Sequence, residues 1–396
     1  MNIADVETNY QSMFVEYVIS GVQEALERVR AAEPLPDEHD RQFAWHILSY
    51  AFNFAEAWPC TRELLLALAP KMEQAGFRED WLLYLQEGHR QAQAQQDELV
   101  AAECELQIGL LYRLLSRFAD AHQWTSVSVE HFAALSDTQR QARALNELAW
   151  LAHLQHQYDQ AIQYVEQALA LTEGSYPERA MSYRIKGMIA IGQLEWQQAE
   201  QAHGKALNLF QQLGDFRKTA WSQQNLGYAL SKQNRLAEAI EFYQQSAYTL
   251  QSLGDHYHWA IVQMNTGLAY MYNDQPSEAH LYYKRAEKTF FQLGAKQMLA
   301  KVYVNLGLNH LALNDLFQAQ QAFATSVDLF QQLGDDSERL NAIDGLAMVY
   351  LAQKQFEQAR NVLYHALTEL PQIIDKPNYE YLLISLHSHL EEAKKG

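Results

Sequence analysis

Two cysteines, eight prolines and no long apolar run leave this 396-residue chain without the devices that build small secreted or membrane-spanning proteins. Cys60 and Cys104 stand far apart and form no Cys-x-x-Cys pair, which excludes a disulfide framework and a paired-cysteine redox or zinc motif. No stretch approaches the roughly 18 consecutive apolar residues of a membrane-crossing helix. The first ten residues carry Asp5 and Glu7 with no apolar core and do not read as a secretory leader. Basic residues are scarce: 30 Lys and Arg face 48 Asp and Glu, a formal charge of -18, and such a field repels the phosphates of nucleic acid. A soluble cytoplasmic protein with neither nucleic-acid nor membrane partners is expected.

The spacings that chemistry requires are missing too. There is no His-Glu-x-x-His, no glycine-rich phosphate loop and no Gly-x-Ser-x-Gly elbow; His203-Gly204-Lys205-Ala206 is only a fragment of a phosphate loop. Fifteen histidines produce the close pairs His153 and His156, His256 and His258, and His387 and His389, read as packed or solvated side chains rather than ligands. The chain is expected to be no enzyme and to carry no cofactor and no metal.

What is present is a period. Leu213-Gly214-Asp215, Leu253-Gly254-Asp255, Leu293-Gly294-Ala295 and Leu333-Gly334-Asp335 recur every 40 residues, and only a repeated supersecondary unit keeps such a register. A column of small residues follows it: Gly109, Ala149, Gly187, Gly227, Gly267, Gly307 and Ala347, with a single 38-residue step. Twelve residues on stands an alanine in all seven units (Ala121, Ala161, Ala199, Ala239, Ala279, Ala319 and Ala359), and seven further a serine or alanine. Glycine inside a helix costs about 1 kcal/mol against alanine, so these columns imply two helices in close approach. Tyr112, Tyr270 and Tyr350, with Tyr243, Tyr283 and Phe323, supply the bulk that fills the gaps. Polar turns such as Lys232-Gln233-Asn234 separate the helices of each unit. Each Leu-Gly-Asp ends one unit, glycine taking the left-handed conformation and aspartate capping the next helix.

These residues resemble the tetratricopeptide repeat family, in its long 40-residue form as in kinesin light chain, Pins-type adaptors and Rap-type regulators. The resemblance covers roughly 98 to 375. It implies an all-α, right-handed superhelical solenoid of helix-turn-helix repeats. Residues 1–57 are expected to form an N-terminal helical cap or small bundle, with helices near 5–30 and 38–57 parted at Glu33-Pro34-Leu35-Pro36-Asp37. Residues 58–97 read as a degenerate unit whose first helix is interrupted by Pro70, with Gly88 in a small column of the second. Seven repeats fill 98–375. A loop between Pro371 and Pro377 leads to a capping helix in 376–396, with Tyr379, Leu382, Leu383, Leu386 and Leu390 on its apolar face. That stripe also offers a route to a homodimer.

The resemblance further implies that the first helix of each repeat lines a concave groove that binds a protein or peptide partner. The residue after the small column then faces inward: Leu110, Trp150, Met188, Tyr228, Leu268, Leu308 and Met348, joined by Met181, Trp221 and Ile261 six residues before it. The leucines serve equally well as core, whereas Trp150, Trp221 and Tyr228 suit an exposed binding wall. Two residues before the column stand Asn225, Asn265 and Asn305. Carboxamides both donate and accept, and in peptide-binding relatives they read the backbone of a bound segment; each also fits a second role, bonding a neighbouring helix's backbone. Gln107, Glu147, Ile185 and Gly345 break this ladder, which centres the reading on the fourth to sixth units. Arg113, Arg143, Arg184, Lys232 and Lys301 are candidates to receive acidic groups. The expected function is a non-enzymatic scaffold or adaptor. Its alternatives are a peptide-responsive sensor with residues 1–57 as output surface, or a companion subunit of a separately encoded protease or ATPase.

Overall fold

A computed structural model describes residues 3–32, 35–173, 177–376 and 378–396. Outside the described residues lie Met1 and Asn2 of the amino-terminal segment, Glu33 and Pro34 of the first loop, and Pro377 of the last. Nineteen α-helices and no strand occur among the described residues. They are α1 (Ile3–Ala31), α2 (Glu38–Ala51), α3 (Trp58–Ala75), α4 (Arg78–Ala94), α5 (Glu98–Leu114), α6 (Phe118–Ala134), α7 (Thr138–Leu154), α8 (Tyr158–Leu171) and α9 (Pro177–Gly192). There follow α10 (Trp196–Gln212), α11 (Phe216–Lys232), α12 (Leu236–Ser252), α13 (His256–Tyr272), α14 (Pro276–Gln292), α15 (Lys296–Ala312), α16 (Leu316–Leu333), α17 (Asp336–Ala352), α18 (Phe356–Glu369) and α19 (Tyr379–Lys395). The chain divides into two compact units, Met1–Glu195 and Trp196–Gly396, each an all-α stack in which successive helices pack in chain order.

The small columns act as the period implies. A methyl group added at Gly227 would lie 2.8 Å from the Tyr243 ring, and one at Gly267 2.7 Å from the Tyr283 ring. Both rings are buried to within 1% of full enclosure, so glycine is what lets the helices of each hairpin close on an aromatic. Burial in turn pushes both phenol hydroxyls above the ordinary tyrosine range. The serines of the third column add a tether: Ser246 donates to the Ala220 carbonyl at 2.8 Å and Ser326 to the Ala300 carbonyl at 3.0 Å.

Gly214, Gly254, Gly294 and Gly334 take positive φ of 64° to 68° at the unit ends. Asp215, Asp255 and Asp335 accept the backbone N–H three residues on, capping α11, α13 and α17. The turn inside each hairpin also needs a left-handed residue, and there it is not glycine: Asn234, Asp274 and Asn314 fill it at φ 56° to 62°, as do Leu194 and Lys354.

Two boundaries differ from expectation. The second helix ends at Ala51, and a single 3-10 turn, Ala55–Ala57, joins it to α3. Pro70 lies inside α3 without ending it; a proline ring removes one ladder hydrogen bond, and packing of Leu64, Leu65 and Leu68 in the unit's core holds the helix across that gap. The apolar face of α19 is consumed within the chain, because Leu382, Leu386 and Leu390 are buried in one cluster with Leu340 and Leu363. It therefore caps the last hairpin, and that stripe is not free to pair with a second copy.

Polar contacts lock the cap. His389 Nδ1 donates to Asp344 Oδ1 at 2.7 Å and the Ser385 hydroxyl donates to Asp344 Oδ2 at 2.5 Å, with Asp344 buried. The hydrogen bond to Asp344 holds His389 above the usual histidine range, against the opposing effect of burial. A raised folded-state pKa stabilises fully below the unfolded value, about 6.5, and the contribution fades as pH rises through the raised value. The thermal midpoint of the wild type should therefore fall between pH 6 and pH 8.5 relative to His389→Gln. Parallel pH profiles would contradict this assignment.

Candidate binding surface

In the second unit the first helices approach one another directly, α11 touching α13, α13 touching α15 and α15 touching α17. A layer of closely spaced helices is the inner layer of a curved stack. On α11 and α13, residues at offsets of -6, -3, -2, +1 and +5 from the small column stay open or partly open; on α11 the intervening ones are all buried, and on α13 all but Tyr270 and Met271 are. On α11 that stripe is Trp221, Gln224, Asn225, Tyr228 and Lys232. On α13 it is Ile261, Met264, Asn265, Leu268 and Tyr272.

Eight of the ten expected site residues fall on this layer: Trp221, Asn225, Tyr228, Asn265, Leu268, Asn305, Leu308 and Met348. None is sealed inside, and Leu308 is the most open at 37%. Trp221 packs against the core on one side and meets the His258 ring at 4.7 Å, tilted by 42°, and His258 is itself held by Asp255 at 2.9 Å. Tyr228 meets Trp196 edge-on at 6.2 Å.

Asn225, Asn265 and Asn305 are half-buried, and none of their side chains hydrogen-bonds to a described residue. Other asparagines behave differently. Asn309 is fully enclosed and donates to the Pro276 carbonyl at 2.7 Å, and Asn146 is enclosed and donates to the Glu178 carbonyl at 2.9 Å. Of the two roles open to the ladder, bonding a neighbouring helix is thus the one it does not play.

The remaining two candidates belong to the first unit. Trp150 on α7 lies under the Arg184 guanidinium, 5.5 Å from the ring centroid, and beside His153 at 5.2 Å; Met188 stands on α9. Burial lowers the His153 pKa, with His156 adding to the effect. The inner helices of this unit carry ion pairs rather than amides: Arg113 pairs with Glu147, and Arg143 with Glu103.

The five cation candidates are accordingly unequal. Arg113 and Arg143 are paired as stated, Arg184 covers Trp150, and Lys301 meets Glu338 at 3.2 Å. Lys232 has no carboxylate within ion-pair distance among the described residues. Its ammonium sits between two rings instead, 5.5 Å from Tyr228 and 5.6 Å from Tyr272. Tyr272 and Gln224 were not singled out by the sequence; their signal was the offsets of +5 and -3, which only the stacking of the first helices makes meaningful.

No helix among the described residues is long and apolar enough to cross a membrane. Family models for the tetratricopeptide repeat match residues 141–176, 178–247 and 298–368. No curated protein matches the sequence. Among solved structures, a Rap protein complexed with Competence and Sporulation Factor aligns with 96% of this chain and 99% of its own, at 15% identity and a TM-score of 0.58. Aspartyl phosphate phosphatase F from Bacillus subtilis aligns over 89% and 93%, at 13% identity and 0.57. A signal transduction ATPase with a tetratricopeptide repeat sensor, from Pyrococcus horikoshii, aligns over 88% of this chain and 55% of its own, at 13% identity and 0.62. At these identities the likeness is one of fold. Matched repeats, a 40-residue register and hairpins closed on small-residue columns agree, and residues 141–176, 178–247 and 298–368 of this chain are tetratricopeptide repeats.

Proposed function

We propose that the inner layer of the second unit binds an extended segment of a protein or peptide partner, and that the chain acts through this binding as an adaptor or regulator. The observation that carries the reading is the ladder of three half-exposed carboxamides, one per hairpin, with no intrachain hydrogen bond. Partly buried amides lacking partners lose little on desolvation by a ligand and gain a hydrogen bond each. Trp221, Tyr228, Leu268, Leu308 and Met348 supply apolar contacts beside them, and a few such anchors dominate affinity in most interfaces. Lys232, held between two tyrosine faces, receives an acidic side chain of the segment. In the first unit, Trp150 and Met188 offer a smaller apolar contact of their own.

A peptide array of randomised twelve-residue sequences, probed with the full chain, tests this. Extended peptides combining apolar residues with an acidic one should bind, and Lys232→Met should remove the acidic preference while leaving binding. An array with no binder would contradict the reading. The sensor alternative takes its support from the solved Rap protein that holds Competence and Sporulation Factor. Small-angle scattering with the strongest binder separates the two, since a changed radius of gyration fits a sensor and an unchanged one an adaptor.

A further inference from the structure

We propose that a cleft between α10 and α12 in the second unit is a docking site for one aromatic side chain, presented by a basic segment of a partner protein. The cleft measures about 610 Å³. Leu226 and Leu230 of α11 form its floor and Phe242 of α12 lines it as well. It lies on the layer of second helices, so it is separate from the surface proposed above and stands or falls independently of it.

Gly204, in the middle of α10, is the first observation. A methyl group added there would meet nothing within 4 Å, whereas one at Gly227, Gly267 or Gly307 would run into a tyrosine or phenylalanine ring. Packing therefore does not require this glycine, and helix propensity opposes it. What it does is leave the mouth of the cleft open.

The repeat register supplies the second observation. Forty residues on from Leu230 and Phe242 stand Tyr270 and Tyr282, whose rings stack at 5.2 Å with an interplanar angle of 19°. In the earlier hairpin the first ring is replaced by leucine, and Phe242 makes no ring contact among the described residues. A ring brought from outside would complete on Phe242 the stack that Tyr270 completes on Tyr282, an arrangement favoured beyond the area it buries.

Charge at the rim selects the flanks. Glu200 and Glu238 share a single cation, Arg235, at 2.7 and 2.6 Å, which leaves one negative charge in excess on a chain of formal charge -18. Gln197 and Gln201 are exposed at the same rim and hydrogen-bond to no described side chain. Lysine or arginine beside the aromatic residue complements that rim.

The test uses the full chain with 13C-methyl-labelled leucine and two probes, acetyl-Lys-Trp-Lys-amide and acetyl-Lys-Ala-Lys-amide. The tryptophan peptide should produce saturable shifts at Leu226 and Leu230, and the alanine peptide should bind at least tenfold more weakly. Gly204→Leu, which fills the cleft from α10, should abolish the response at both leucines, and Leu230→Tyr, which supplies the missing ring from the floor, should abolish it at Leu226. Circular dichroism identifies which variant is folded, and either one suffices. No saturable shift in the wild type, an equal response to the alanine peptide, or an undiminished response in a folded filled variant would overturn the proposal.

Discussion

Phe323→Ala should lower the unfolding free energy of the second unit by about 4 kcal/mol, the range found when a buried phenylalanine is truncated and its cavity stays open. The phenylalanine is fully enclosed. Its ring lies between two glycines of successive hairpins: a methyl group at Gly307 would lie 2.7 Å from it, and one at Gly345 2.2 Å. It thus joins α15, α16 and α17, and its loss removes contacts within one hairpin and to the next. In a stack where each repeat touches only its neighbours, the damage should be local, with hydrogen-exchange protection falling first in α15 to α17. Relative to wild type the melting midpoint should drop by roughly 10 °C. A loss under about 1 kcal/mol in urea titration would mean that the hairpins do not depend on this ring.

The second large effect concerns binding rather than stability. Asn225→Ala, Asn265→Ala and Asn305→Ala combined should weaken the best peptide of the array by about 100-fold, because three hydrogen bonds at about 1 kcal/mol each amount to two decades in the dissociation constant. The same triple variant should melt within roughly 2 °C of wild type, since surface substitutions that remove no intrachain bond change stability little. Fluorescence polarisation and calorimetry read both quantities on one preparation. Affinity reduced by less than threefold would leave the apolar residues as the whole site and the ladder without a role.

How much of this could be read without coordinates differs from residue to residue. Gly227 against Tyr243 and Gly267 against Tyr283 were legible because one contact repeated every 40 residues writes itself into the spacing. The aspartate caps were legible for the same reason. The turns inside the hairpins were legible as polar stretches such as Lys232-Gln233-Asn234, but not the left-handed backbone at Leu194 and Lys354, which their side chains disfavour and the close packing of two helices imposes. Pro70 looked like a helix end because local propensity says so, and burial of its neighbours in the core outweighs that preference. Trp150 and Met188 belong to the same sequence column as Tyr228 yet lie in a different compact unit, a division that leaves no mark on a register running through it.

The binding surface was half legible. A column of asparagines shows in the sequence, but whether each amide is already bonded depends on neighbours several turns away; Asn309, two residues beyond the small column, is bonded to its neighbours while Asn305 is not. Lys232 looked no different from Lys301, and only the placement of Tyr228 and Tyr272 around the one, with Glu338 beside the other, separates them.

Selective 15N-asparagine labelling of the full chain puts the central claim to its most direct test, because side-chain amide signals report contact at the carboxamide itself. On adding the strongest array peptide, the signals of Asn225, Asn265 and Asn305 should shift together and saturate at one dissociation constant. Shifts confined to other asparagines, with these three unmoved, would contradict the account.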